Sequence, residues 1–312
     1  MKRIVVAVVL LFFQCIPAGA ADPNCVSEYY RNKLPSCIDD MLSPLRASGS
    51  KADPNTVIGF LAQLFSTSPE ERQRLLENEP SDYVKSVELV ALYRAGLLDD
   101  AQRFSIKNNL SALLQKLQAS RPAPLAAVRP SSVPADNDLL IGAYMASGDK
   151  AFIQRIIDNY SSADDAMASD GFRVGLMLSK FGPGLTPKGR DSVMMQAICA
   201  KYQCKTDQAK FLRVTTLATA FWSLQSLSGK DDGIRKMLSD FFARDTRLDT
   251  LFKIEQTAFG NYLVYIIAVT AIKDDQPGAN RENLAAMRNS VSIYENLGPA
   301  NEAFAPFAGQ KK

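Results

Sequence analysis

Apolar residues recur at helical spacing along most of this chain. One stripe occupies positions i, i+3, i+4 and i+7 of a single helix face: Ile153, Ile156, Ile157 and Tyr160. Two further stripes have the same character: Ile106, Leu110, Leu113, Leu114 and Leu117, and Leu284, Met287, Val291 and Tyr294. No segment has the sustained period-two alternation of a half-buried strand, and the sequence therefore predicts an all-α fold without a substantial sheet.

Capping signals mark where several of these helices begin. Ser68-Pro69-Glu70-Glu71 has the form of a capping box with proline at the first helical position, and Asp53-Pro54 is a second start signal. Five Asp-Asp pairs occur along the chain, at 39–40, 99–100, 164–165, 231–232 and 274–275. We interpret them as caps and first-turn acids that complement the helix dipole, in preference to metal ligands or an acid–base dyad.

Three short windows contain an aromatic helix that stops at a glycine before an acidic residue starts the next helix. They run from Leu92 to Gly96, from Tyr144 to Gly148 and from Trp222 to Gly229. In these windows the sequence resembles tetratricopeptide-type helical hairpins. The glycines are 52 and then 81 residues apart, so the fixed period of a repeat array is absent. The resemblance implies helix–turn–helix hairpins stacked as an irregular solenoid or bundle, with a concave face of the kind that binds peptides.

The N-terminus has the three regions of a secretory signal peptide, residues 1–20. Lys2 and Arg3 form a basic start, ten apolar residues follow from Ile4 to Phe13, and Ala18-Gly19-Ala20 provides the small residues that signal peptidase requires. We therefore expect cleavage immediately before Ala21 and a mature chain in the periplasm or outside the cell. The ten apolar residues are too few to span about 30 Å of hydrocarbon as a stable helix.

Other membrane attachments fit the sequence less well. Cys15 invites a lipoprotein interpretation, but Gln14 precedes it where a small residue is required. The apolar stretch 259–272 is interrupted by Gly260 and Asn261 and has the length of a buried core helix rather than of a transmembrane span. Removing the signal lowers the formal charge from +3 to about +1, which predicts no nucleic-acid partner.

Four cysteines remain after the signal, and an even number in an exported chain suggests two disulfides. Three pairings are possible, and we favour the local one, Cys25–Cys37 with Cys199–Cys204. Cys199 and Cys204 are too far apart on a continuous helix to be bonded, so this pairing requires the helix to end near Cys199. A zinc site is the rival interpretation, and it lacks both C-x-x-C spacing and a histidine. The sequence predicts no metal and no cofactor.

A proline-rich segment divides the chain. Residues 119–137 contain four prolines and few large apolar side chains, which predicts an extended, polyproline-like linker. It separates an N-terminal helical segment, residues 22–118, from a C-terminal helical domain, residues 138–298, and residues 299–312 follow as a flexible tail. The sequence is equally compatible with two separate bodies and with one shared core.

The chain contains no histidine. This excludes Ser-His-Asp and Cys-His hydrolases, H-E-x-x-H metalloproteases and histidine-liganded iron or copper sites. Two motif fragments remain. Ser48-Gly49-Ser50-Lys51 matches S-x-x-K without the companion motifs of penicillin-recognising enzymes, and the glycine-rich stretch 182–189 lacks the spacing of a P-loop. We interpret both as loops.

Carboxylate chemistry needs no histidine. A glycan-cleaving enzyme can work with two acids, one of them held protonated in an apolar pocket. Glu255 lies in an apolar stretch that includes Phe252 and Phe259, which favours a raised pKa, and Glu88 has apolar neighbours on both sides. Helix-surface acids often have such neighbours for structural reasons, so the two glutamates are candidates only in the alternative that the protein is an enzyme.

Three functional hypotheses follow. The leading one is an exported, non-enzymatic helical interaction or scaffold protein whose partner is a protein or peptide. The second is a carboxylate-dependent hydrolase of envelope glycans. The third is a carrier that binds an apolar ligand between helices through aromatic residues, with Phe221, Trp222, Tyr262 and Tyr265 as candidates.

Overall fold

A computed structural model describes residues 25–130, 133–164, 167–168, 171, 175, 208–228 and 230–244. These residues form eleven α-helices and no strand, which confirms the predicted all-α fold. The helices are α1 (Tyr29–Asn32), α2 (Pro35–Ser48), α3 (Asn55–Thr67), α4 (Pro69–Asn78), α5 (Asp82–Arg94), α6 (Leu98–Lys107), α7 (Ser111–Ser120), α8 (Ala135–Ser147), α9 (Lys150–Ser161), α10 (Gln208–Ser228) and α11 (Asp232–Arg244). Short 3₁₀ turns occupy Gly49–Lys51 and Leu125–Ala127.

Helix α3 lies at the centre of the core and packs on α5 and, most extensively, on α8. Two glycines make the contact with α8 unusually close. A Cβ atom on Gly59 would lie 1.9 Å from the carbonyl oxygen of Leu139, and one on Gly142 would lie 1.9 Å from that of Thr56. The two backbones therefore touch without intervening side chains. Because α3 precedes the proline-rich segment and α8 follows it, the described parts of the two predicted helical units share one core.

Two of the predicted hairpin turns end at a glycine in the left-handed region. Gly96 has φ 75° and Gly148 has φ 72°, a conformation that glycine adopts without steric cost. After Gly96, the pair at 99–100 lies in the first turn of α6; after Gly148, Asp149 Oδ1 accepts a hydrogen bond from the N–H of Ala151 at 2.9 Å. The interpretation of these acids as first-turn and capping residues is correct. The pair at 39–40 is an exception, because it lies inside α2, beyond the first turn.

The stripe from Ile106 to Leu117 was expected to form one helix, and that prediction is wrong. The chain breaks between α6 and α7, where Asn109 adopts φ 59°. The N–H of Leu110 donates to the carbonyl of Ser105 at 2.8 Å, and that of Asn109 to the carbonyl of Ile106 at 3.4 Å. This is the Schellman arrangement, with asparagine in the position that glycine usually takes. Ile106 is consequently 62% exposed instead of facing the core.

Other local predictions have mixed outcomes. The stripe on α9 is confirmed, since Ile153, Ile156 and Ile157 are buried. Helix α4 begins at Pro69 as predicted, but the side chain of Ser68 makes no capping hydrogen bond.

The proline-rich segment between α7 and α8 packs against the core. It contains one 3₁₀ turn, and its Leu125 and Val128 are 5% and 2% exposed. Arg94 of α5 donates a 2.6 Å hydrogen bond to the carbonyl of Ala123, and Arg155 of α9 donates one of 3.1 Å to that of Leu125. The segment is therefore a strap tied to helices on both sides of it in sequence.

Candidate functional site

Glu88, one of the two acids singled out in the sequence, is completely buried in α5. Neither carboxyl oxygen has a hydrogen-bond partner among the described residues. Burial, and secondarily the negative charge of Glu79, raise the pKa of Glu88 to about 8, against the opposing charges of Arg46 and Lys85. The side chain is therefore protonated at neutral pH.

The neighbouring acid Glu79 is in a different electrostatic situation. Its carboxylate, 1% exposed, forms a 2.7 Å ion pair with Nη2 of Arg46 and accepts a 2.8 Å hydrogen bond from the N–H of Ser81. Arg46 also reaches Asp39 on the surface at 3.3 Å. Glu79 is thus paired with a cation, whereas Glu88 is not. Both are covered by protein, so Glu88 has the protonation state of a general acid without access to a substrate.

A second polar cluster surrounds Asp231, immediately before α11. Its Oδ2 accepts 2.6 Å hydrogen bonds from the hydroxyls of Tyr30 and Tyr144 and lies 3.4 Å from Nη2 of Arg31. Its Oδ1 accepts the N–H groups of Gly233 and Ile234 at 2.8 and 3.2 Å, which cap the helix. Burial raises the pKa of Asp231, but these hydrogen bonds outweigh burial and hold it below its ordinary value.

An open cleft of about 410 Å³ lies between α4 and α6. Two helical stripes face each other across it: Pro69, Arg72, Gln73, Leu76 and Glu77 from α4, and Asp100, Arg103, Phe104 and Lys107 from α6. Both stripes follow i, i+3, i+4 and i+7 spacing, which places each set on one face of its helix. We call this cleft the α4–α6 groove.

Cations and anions are unequally paired in the α4–α6 groove. Arg72 and Arg103 both contact the carboxylate of Asp100, the former at 3.6 Å. Lys107 forms no ion pair with a described residue, and the carboxylate of Glu77 accepts a 2.9 Å hydrogen bond from Gln73. The buried ring of Phe104 and the half-buried Leu76 supply apolar surface between these charges.

The remaining sequence candidates are spread over the chain. Cys25 and Cys37 are joined in a disulfide, with their Cα atoms 5.3 Å apart, and that half of the predicted pairing is confirmed. Of the proposed carrier aromatics, Phe221 is buried in α10 and Trp222 is half-buried. Positions outside the described residues include the signal with Ala18, Ala20 and Ala21, the pair Cys199–Cys204, the apolar stretch 259–272, Glu255, Tyr262 and Tyr265.

The described parts of the chain contain neither a metal-binding cluster nor a membrane-spanning helix. No group of acidic and cysteine side chains there has the arrangement of a metal site. No helix there combines the length and the apolar character needed to cross a bilayer.

Comparison with protein-family models, characterised proteins and solved structures finds no match to this chain.

Neither the α4–α6 groove nor the contact of two tyrosines with Asp231 was predicted from the sequence. The groove was detectable in principle, because polar side chains recur at helical spacing in both α4 and α6. Nothing local predicts that Tyr30 and Tyr144 meet Asp231, since the three residues lie far apart in the sequence.

Proposed function

We propose that this is an exported, non-enzymatic helical interaction protein and that the α4–α6 groove is the face that binds its partner. The observation that supports this proposal is the pair of facing stripes, which combine exposed charges with the half-buried apolar side chain of Leu76. Grooves of this kind suit an extended or helical segment of another protein. The resemblance of three sequence windows to tetratricopeptide-type hairpins is consistent with it.

The charges in the groove favour an acidic partner segment. Three basic and two acidic side chains line the groove, which gives it a formal charge of +1, and its Lys107 forms no ion pair with a described residue. A partner carboxylate can pair with this positive charge while a neighbouring apolar side chain contacts the half-buried Leu76. The proposed ligand is therefore a peptide that combines acidic and large apolar residues.

Fluorescence anisotropy with a labelled peptide of alternating Glu and Phe tests this proposal. The double variant Arg103→Glu/Lys107→Glu should weaken binding at least ~10-fold, and added salt should weaken the wild-type complex as well. Lys116→Glu is the matched control, because Lys116 is exposed on α7 outside the groove. Equal losses in both variants, or equal affinity for a peptide of alternating Lys and Phe, would contradict the proposed groove.

Export and the absence of catalysis need their own tests. Protein recovered from its native envelope should have the intact mass of a chain that begins at Ala21, whereas retention of residues 1–20 would contradict export.

The absence of catalysis is tested with peptidoglycan and soluble glycans. Incubation of the protein with these substrates should give no new fragments by mass spectrometry. Release of fragments that is abolished by Glu255→Gln or Glu88→Gln would replace the interaction hypothesis with the hydrolase hypothesis.

A further inference from the structure

The Cys25–Cys37 disulfide closes a loop around the four-residue helix α1. We call residues 25–37 the disulfide loop. A single helical turn is unstable by itself, because the entropic cost of fixing its backbone is repaid by very few hydrogen bonds. The loop must therefore be held by its anchors on the rest of the protein and by its own cross-link.

Four neighbouring side chains of the disulfide loop anchor it to three different helices. The ring of Tyr29 contacts that of Phe60 in α3, with 5.0 Å between centroids. Tyr30 and Arg31 contact Asp231 at 2.6 and 3.4 Å. The Nζ of Lys33 donates a 3.0 Å hydrogen bond to the carbonyl of Ala146 near the end of α8.

The anchor at Asp231 joins the beginning of the described chain to nearly its end. Tyr144 of α8 donates to the same carboxylate oxygen as Tyr30, so the loop, α8 and α11 meet at one atom. The Tyr30 ring also covers Gly148, where an added Cβ would lie 2.4 Å from the ring. If the loop undocked, the carboxylate of Asp231 would lose the hydrogen bond from Tyr30, and Gly148 would become exposed.

We propose that the disulfide loop is a redox-controlled latch, which docks firmly on α8 and the N-terminus of α11 only after Cys25 and Cys37 have been oxidised. In this step the two thiols lose two electrons and two protons and form one S–S bond. The co-reactant is a disulfide oxidant, which accepts them and becomes two thiols. The proposal rests on the disulfide and its contacts, and it is independent of the groove.

The size of the effect follows from the loop that the disulfide closes. The two cysteines are 12 positions apart in the sequence, and their cross-link lowers the conformational entropy of the undocked loop. This favours the docked state by a factor on the order of 100. Part of this shift should reach α11, because the Asp231 carboxylate that binds the loop also caps that helix.

Amide hydrogen exchange at Gly233 and Ile234 is a direct readout, because their N–H groups donate to Asp231. In Cys25→Ser/Cys37→Ser, or in wild-type protein reduced under native conditions, their protection should fall at least ~10-fold. Protection of the Ala151 amide, which is bonded to Asp149, should stay within about twofold. Unchanged protection at Gly233 and Ile234 together with fast exchange in the loop would overturn the latch.

Two hydroxyl deletions in the oxidised protein provide a test that does not depend on removing the disulfide. Tyr30→Phe removes one donor to Asp231 and should lower protection at Gly233 and Ile234. Tyr29→Phe makes the same chemical change at the adjacent position, where the hydroxyl has no hydrogen-bond partner among the described residues, and should not. The effect of Tyr30→Phe should also shrink in the Cys25→Ser/Cys37→Ser background. Identical effects in both backgrounds would show that oxidation and the anchor are uncoupled and would refute the proposal.

Discussion

Arg46 donates hydrogen bonds from Nε and Nη2 to the buried carboxylate of Glu79, at 3.1 and 2.7 Å. Arg46 belongs to α2, and Glu79 directly follows α4. The pair therefore links α2 to the turn between α4 and α5. It also places a positive charge near Glu88, whose own carboxyl group has no hydrogen-bond partner in the part of the chain that the structure describes.

Arg46→Met should destabilise the protein by about 3 kcal/mol, because it leaves the Glu79 carboxylate buried without its counter-charge. Asp39→Asn removes the other acid that contacts Arg46 and should cost less than about 1 kcal/mol, since Asp39 is 53% exposed. Urea unfolding of the three proteins at neutral pH measures both differences. A cost for Arg46→Met no greater than for Asp39→Asn would show that the pair contributes little.

The buried Glu88 should make stability depend on pH. Its pKa is about 8 in the folded protein and about 4.3 in an unfolded chain. Between these values the unfolded state has lost the proton and the folded state retains it, so the free energy of unfolding falls as pH rises. The expected slope is up to ~1.4 kcal/mol per pH unit, with no contribution from this group to the slope below about pH 4 or above about pH 8.

Glu88→Gln isolates this contribution because glutamine does not titrate. Unfolding free energies of wild type and variant, measured by urea titration from pH 5 to pH 8, should diverge in slope, with the variant less sensitive to pH. Glutamine keeps the volume of the side chain, so a packing change is not the cause of the difference. Parallel curves over the whole interval would mean that Glu88 is ionised in the folded protein.

The glycine contact between α3 and α8 predicts a large effect of a single methyl group. Gly142→Ala should destabilise by about 1–3 kcal/mol or more, although alanine is the better helix former, because the backbones must separate. Gly59→Ala should behave similarly, and the double variant should cost less than the sum of the two, since the first substitution already opens the contact. Ser66→Ala on exposed α3 surface is the control and should change stability by less than about 0.5 kcal/mol.

Two valines in the strap between α7 and α8 provide a matched pair. Val128 is 2% exposed and Val133 is 52% exposed. Val128→Ala should cost about 2 kcal/mol through lost apolar burial, whereas Val133→Ala should have almost no effect. Thermal and urea unfolding compare the two. Equal, small effects would indicate a loose linker of the kind that the proline content predicted.

The helices could be predicted from the sequence, but their contacts could not. Apolar spacing located α9 correctly, and glycine followed by an acid located the turns after α5 and α8. The same spacing gave a wrong prediction between α6 and α7, because the leucine stripe continues past Asn109. Asparagine can adopt the left-handed conformation that ends a helix, but it indicates a helix end less strongly than glycine does. Gly59 and Gly142 were not singled out in the sequence, because a glycine inside a helix indicates by itself only a lower helix propensity. Their role depends on a crossing that local sequence does not encode.

The environments of the two buried acids, Glu88 and Asp231, could be predicted only in part from the sequence. Glu88 was singled out from its apolar neighbours, and the structure places it in the interior with a raised pKa. Asp231 was interpreted as a helix cap, which is correct for its Oδ1 but omits the tyrosines on its Oδ2. A cap is a local interaction that sequence shows, whereas a partner on a distant helix depends on the tertiary fold.

The close crossing of α3 and α8 has a consequence for the order in which the protein folds. The ribosome delivers the chain from its N-terminus, so α3 emerges before α4–α7, the strap and finally α8. Until α8 has been made, the face of α3 that contains Gly59 lacks its native partner, and the intervening helices α4–α7 do not replace that partner. Such a non-local contact delays the completion of the core and leaves apolar surface exposed to aggregation. A holding chaperone should therefore matter most for the chain that ends before α8.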